Sequence, residues 1–222
     1  MLALVGSGEY LKDMEKVDLD LMGRLPGPPK VVCLPTAAGR EGPKRIDYWS
    51  RLGMNHFSHL GAEVEALPVI DKESANDSAM AHAVSKANFV YLSGGKPDYL
   101  YETLKDSLVW TSIVGVLEKG GLLAGCSAGA MILGEAFYGF PGWKAGFNFL
   151  PGMTIIPHFD EIPESMLESV RLTAGDDLKL LGIERNTALI KSGERYEVVG
   201  SGGVTVWDNS RKDRYPAGLL KI

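Results

Sequence analysis

A chain of 222 residues with 45% hydrophobic and 23% charged residues can close one core without staples and is too apolar for disorder, so a single domain over residues 1–222 is expected. A formal net charge of −5 with no basic block excludes the phosphate-facing surface a nucleic-acid partner requires. No apolar window reaches the ~18 residues of a membrane span, so neither a spanning helix nor a membrane partner is expected.

The apolar start Met1–Val5 runs straight into Gly6-Ser7-Gly8-Glu9. It is too short for a signal peptide and lacks a positive region. Cys33 and Cys126 form neither a metal spacing nor a disulfide framework and read as intracellular thiols. A cytoplasmic location is the expectation.

Leu2–Val5 is a predicted strand ending at Gly6-Ser7-Gly8, and Val17–Leu25 a short helix stopped by Pro26-Gly27-Pro28-Pro29. Val31–Leu34 is a second strand. Ile46, Trp49, Leu52, Phe57 and Leu60 then recur near helical spacing, with Gly61 as the cap. Val64–Ile70 is strand-like, and Pro68 argues for an edge. Ser74–Lys86 reads as one helix. Phe89–Leu92 is a strand stopping at Ser93-Gly94-Gly95, and Pro97 opens the next helix. Leu108–Lys119 is helical, Gly121–Ala124 a strand, and Ala128–Leu133 the start of a helix. Tyr138–Pro151, rich in glycine, proline and aromatic residues, reads as a loop or hairpin. Met153–Ile156 is a strand leading to Pro157-His158, and Pro163–Leu180 a helix. Thr187–Ile190, Tyr196–Val199 and Val204–Trp207 are short strands of antiparallel character. Alternating strands and helices give the fold class: α/β, with a mostly parallel central sheet flanked by helices and a more antiparallel C-terminal part.

Sites in such sheets form at the carboxyl ends of strands. Three Gly-rich breaks fall there, and one, Gly125-Cys126-Ser127-Ala128-Gly129, has the form G-x-S-x-G. A bare pattern of this kind arises by chance roughly 0.1–0.2 times in a chain of this length, so its context decides. A strand precedes it and a helix follows, as a nucleophile elbow requires. Cys126 is the better intrinsic nucleophile by chemistry. Centring the turn on Ser127, however, places Gly at both flanks, and Gly tolerates the tight turn better. Ser127 is therefore the expected nucleophile, with Cys126 turned into the core. A glutaminase-like subunit working through Cys126, or a non-catalytic relative that binds a small molecule, remains the competing reading.

A serine nucleophile needs a base. Of the four histidines, His158 alone follows a strand at the end where sites form. The acid that would orient it is less clear. Asp160 and Glu161 are close in sequence, but adjacency by itself does not give the geometry. Glu184 lies at another strand end. The order Ser127, His158, Glu184 departs from the Ser…acid…His order of α/β-hydrolases.

Taken together, Leu92-Ser93-Gly94-Gly95, Gly125-Cys126-Ser127-Ala128-Gly129-Ala130, His158-Phe159 and Gly182-Ile183-Glu184 with Thr187-Ala188 resemble the cyanophycinase and aspartyl-dipeptidase (dipeptidase E) family of serine peptidases. Leu34-Pro35-Thr36-Ala37 and Gly6-Ser7-Gly8-Glu9 are similar as well. The resemblance implies a fold like that of class I glutamine amidotransferases. It implies a triad of Ser127, His158 and Glu184, with an oxyanion hole from the backbone of Ala128 and the Gly94-Gly95 turn. It also implies cleavage of small peptides next to aspartyl residues without metal or cofactor. An acidic substrate group would need a fixed cation, for which Arg40, Lys96 and Arg171 are the candidates. Two departures stand out: Lys96-Pro97 replaces the Asn or Asp then Gln common after the Gly-Gly pair, and Ile183-Glu184-Arg185 replaces Ile-Asp-Glu. The segment Phe137–Phe149 is expected to line or cover the cleft. A homodimer stays open.

Overall fold

The computed structural model describes residues 1–139, 141–209 and 211–220. Four of the strands expected in the first half are short apolar runs buried almost throughout: β1 (Leu2–Val5), β2 (Lys30–Leu34), β4 (Phe89–Leu92) and β5 (Leu122–Cys126). A strand apolar on both faces needs cover on both faces, which parallel βαβ units provide. The fifth, β3 (Glu63–Ala66), alternates charged and small residues and takes the edge of the sheet, where exposed glutamates discourage further pairing.

One helical layer contains α1 (Glu15–Gly23) and α2 (Pro43–His59). The other contains α3 (Lys72–Ala75), α4 (Ser78–Ser85), α5 (Pro97–Leu104) and α6 (Leu108–Glu118). The period of two along each strand divides the core between these layers. On β4, Phe89 and Tyr91 join the cluster around Val17, Leu21 and Phe57, whereas Val90 and Leu92 join the cluster around Leu104, Val109 and Ile113. Each such buried side chain stabilises the fold by about 1.5–3 kcal/mol relative to exposure. The same alternation on β5 sends Leu122, Ala124 and Cys126 to the α1–α2 side.

After β5 come α7 (Ala128–Met131), the hairpin β6 (Ala136–Gly139) and β7 (Gly142–Ala145), then β8 (Met153–Ile156) and α8 (Glu164–Ala174). The C-terminal strands are β9 (Lys179–Ile183), β10 (Thr187–Ser192), β11 (Arg195–Gly200), β12 (Val204–Asp208), β13 (Arg211–Tyr215) and β14 (Gly218–Leu220). The main sheet runs β14-β11-β10-β1-β5-β4-β2-β3. It is parallel from β1 to β3 and antiparallel beyond, where β10 pairs with β1 and β11. A second sheet, β13-β12-β9-β8, carries the strand that leads to His158. This is the fold class expected from the sequence.

Several elements differ in extent, among them the strand expected over Val64–Ile70, which ends at Ala66 as β3. The single helix expected over Ser74–Lys86 is two, because Asp77 accepts the N–H groups of Ala79 and Met80 at 2.6 and 3.3 Å and starts a new helix. The helix expected over Pro163–Leu180 ends at Ala174. Gly175 takes φ 77 there, and Leu180 passes into β9, a strand the helical periodicity concealed. The expected loop or hairpin is the β6–β7 hairpin, of which Phe140 lies outside the described residues.

Candidate active site

Ser127 follows the last residue of β5, and its backbone N–H donates to Val5 O at 3.0 Å, which fixes it to the end of the sheet. The chain then turns at once into α7. The turn is tight enough that a Cβ on Gly125 would overlap the backbone carbonyl of Gly129, and one on Gly129 would lie 2.5 Å from Leu92 O. Ser127 itself has φ 50 and ψ −111, a conformation few non-glycine residues adopt. Strain of this kind costs about 1–3 kcal/mol and persists only where the surroundings enforce it. It lifts Oγ clear of the sheet end.

His158 lies just beyond β8 and is also held at positive φ, 54°. Its neighbour Phe159 is the anchor. The Phe159 N–H donates to Ile183 O at 3.1 Å, and its ring lies flat against Gly182, where any Cβ would occupy the ring's space. The imidazole Nε2 is 3.2 Å from Ser127 Oγ. The other ring nitrogen, Nδ1, is 2.5 Å from Glu161 Oε2. Glu161 belongs to the same turn, its N–H donating to His158 O at 2.8 Å. Arg185 braces the turn from the facing strand end. Its backbone N–H donates to Asp160 Oδ1 at 2.8 Å and its guanidinium to Glu161 Oε1 at 3.3 Å.

Glu184 is not beside His158. Its carboxylate accepts two hydrogen bonds from Arg214, at 2.5 and 2.7 Å, and one from the Gly203 N–H at 2.8 Å. The Arg214 guanidinium, with help from Gly203, holds the carboxyl below the usual glutamate range against the opposing effect of burial. Glu184 therefore ties β9 to the β12–β13 hairpin, and the expectation that it orients His158 is corrected. Neighbouring strand ends in sequence order need not direct their side chains to one point. Three residues of turn do so here for His158 and Glu161.

Arg171 is likewise corrected as a substrate residue. It is nearly buried, and its guanidinium donates to the carbonyls of Leu178 and Gly175, closing the C-terminus of its own helix. Arg40 and Lys96 are exposed and line a cleft beside the hairpin, with Arg40 stacked 4.6 Å from the Tyr99 ring centroid. The Gly94 N–H donates to Glu9 Oε1 at 3.0 Å, and a Cβ on Gly94 would come within 3.3 Å of Ser127 Cβ. The N–H groups of Gly95 and Ala128 take no partner among the described residues.

Glu9 was not picked out as a functional residue from the sequence, although it ends a recognised Gly-rich break. Its second oxygen accepts from Cys126 Sγ at 3.0 Å, so one carboxylate joins the Gly94 turn to the underside of the elbow. Cys126 is fully buried, and burial first, then the nearby Glu9 carboxylate, pushes its thiol pKa well up. The thiol is packed in the core on the α1–α2 side and does not line the cleft at Ser127, which argues against the Cys126 reading. Among the described residues, no group of three His, Cys, Asp or Glu side chains could hold a metal ion, and no helix is long and apolar enough to cross a membrane.

A strained serine at a strand end, within hydrogen-bond reach of a histidine, is the arrangement of a serine hydrolase. The chain belongs to peptidase family S51, whose profile matches residues 2–199. Among solved structures it is similar to a peptidase from an acI-B1 Actinobacterium, at 35% identity and a TM-score of 0.91, covering 100% of this chain and 96% of that one. It also shares its fold with a protein from Listeria monocytogenes EGD-e provisionally described as peptidase E, at 21% identity and a TM-score of 0.66, covering 90% of this chain and 97% of that one. No curated protein matches the chain. The protein is thus a peptidase acting on peptide substrates, in the family its motifs pointed to.

Proposed function

We propose that the protein is a serine peptidase in which Ser127 is the nucleophile, His158 the general base and Glu161, in place of Glu184, the group that orients the imidazole. The observation that carries this reading is the chain of contacts from Ser127 Oγ to His158 Nε2 at 3.2 Å and from Nδ1 to Glu161 at 2.5 Å. With Nδ1–H donated to Glu161, the lone pair of Nε2 faces Oγ. As Oγ attacks the amide carbon, its proton passes to Nε2, and the carbonyl oxygen takes up the negative charge. The unpartnered N–H groups of Ala128 and Gly95 are the donors available to that oxygen. The Gly94 N–H, committed to Glu9, instead holds the turn in place. The imidazolium gives the proton to the leaving amine, and water then resolves the acyl-enzyme by the same route.

Aspartyl specificity, which the family resemblance suggested, requires a cation close to the reacting centre. Of the three candidate cations, Arg171 is occupied by its own helix, and Arg40 and Lys96 stand in the adjoining cleft.

Ser127→Ala should lower amide hydrolysis by about 10⁴-fold or more. A fluorophosphonate should label Ser127 in the wild type, with the adduct mapped by mass spectrometry. Full activity in Ser127→Ala would end the proposal.

A further inference from the structure

The cleft that opens directly onto Ser127 and His158 has a volume of about 590 Å³. Its walls are Met131, Ile156, Ile162, Met166 and Val170, with Tyr138 at the hairpin side. The fold accounts for how these residues meet. Met131 stands four residues after Ser127, one helical turn on, and therefore on the nucleophile's face of α7. Ile156 ends β8, two residues before His158. Met166 and Val170 are spaced i, i+4 on α8 and share one face. The hairpin is fastened to the same helix by Trp143, whose Nε1–H donates to Thr173 Oγ1 at 3.1 Å, and the Tyr138 and Trp143 rings pack edge to face with centroids 5.6 Å apart.

The fold's own packing does not explain this surface. Met166 is 57% exposed and Tyr138 41%, although each could have been polar at no cost to the core. Nor does the cleft suit a charged substrate group. No lysine or arginine lines it among the described residues. A carboxylate entering it would lose hydration with no cation to offset the loss. Arg40, Lys96 and Lys144 line the adjoining cleft on the other side of Tyr138, where Lys144 is already paired with Asp98 at 2.8 Å, and Arg185 at the His158 turn is paired with Glu161 at 3.3 Å.

We infer that this cleft is the specificity pocket for a large apolar side chain on a residue flanking the scissile bond, so that the enzyme prefers aliphatic or aromatic residues there to aspartyl ones. The inference rests on Ser127 being the nucleophile. Two methionine thioethers among the walls, flexible and polarisable, let the pocket take side chains of several shapes. Leu, Met and Phe are therefore accepted together.

The test is the rate at which alkyl fluorophosphonates label Ser127. Butyl and benzyl probes should label it at least about 10-fold faster than a 3-carboxypropyl probe of similar length, the lower end of what a fitted apolar pocket supplies. Met166→Glu, a change at an exposed position, should cut the butyl-to-carboxypropyl ratio by about 10-fold or more. Leu172→Glu, at an 83% exposed residue outside the cleft lining, should leave the ratio unchanged. Equal or faster labelling by the carboxypropyl probe overturns the apolar pocket while leaving Ser127 in place. So does a ratio indifferent to Met166→Glu. Absence of labelling by every probe overturns the nucleophile assignment, and the pocket falls with it.

Discussion

Replacing Glu161 by glutamine asks which carboxylate serves His158. The substitution keeps the shape of the side chain but lets an amide N–H2 group face Nδ1. That favours the tautomer with its proton on Nε2, the atom that must accept from Ser127 Oγ. Where the orienting acid is enclosed, the corresponding change costs about 10⁴-fold in kcat. Glu161 is less enclosed, its side chain 38% exposed, so water can take over part of its role. The expected loss is therefore about 10²–10³-fold, or roughly 2.7–4.1 kcal/mol at 1.36 kcal/mol per tenfold. KM should change little, because Glu161 does not line the apolar cleft. The assay is kcat and KM on one amide substrate for the wild type, Glu161→Gln and Glu184→Gln across the neutral pH range. Glu161→Gln within about threefold of wild type, with Glu184→Gln falling 10²-fold or more at unchanged thermal stability, would refute the assignment.

Gly182→Ala should lower both stability and kcat, since its Cβ would displace the Phe159 ring and His158 with it; thermal melting and turnover measured on the same sample check this. Cys126→Ala should leave most of the activity while destabilising the fold by about 1–3 kcal/mol through the lost packing and thiol contact to Glu9. In the wild type, the Cys126 thiol should react with a maleimide only after denaturant is added. Arg214→Met should cost about 1 kcal/mol of stability near neutral pH, the scale of a partly exposed ion pair. Glu184 has a lowered pKa in the folded state. Its contribution is therefore present above the unfolded value of about 4.3 and is lost as pH falls through the folded value. The stability gap between Arg214→Met and wild type should close on acidification below about pH 4 in denaturant titrations.

The local part of this protein was legible in its sequence. Short apolar runs ending in glycine or proline marked the inner strands of the parallel sheet, because a strand covered on both faces has no polar alternative. Gly125 and Gly129 announced the elbow, since only glycine clears the backbone on either side of so tight a turn. The strand end before His158 gave the base. What a period of two or 3.6 cannot report is where a side chain on one element meets another across space. Glu184 and Arg171 looked available because their positions did, yet Arg214, Leu178 and Gly175 claim them through contacts that exist only once β9, β13 and α8 have packed. Glu161 is close to His158 in sequence, which by itself gave no geometry, and it meets Nδ1 because both stand on one turn that Phe159 anchors against Gly182. The strand β9 itself was hidden because its first apolar residues continue the pattern of α8, and only Gly175 at positive φ separates the two. Glycines and apolar runs act on their own neighbours, so the sequence displays them directly. Charged side chains find partners many residues away, and only the folded chain decides which partner each one takes.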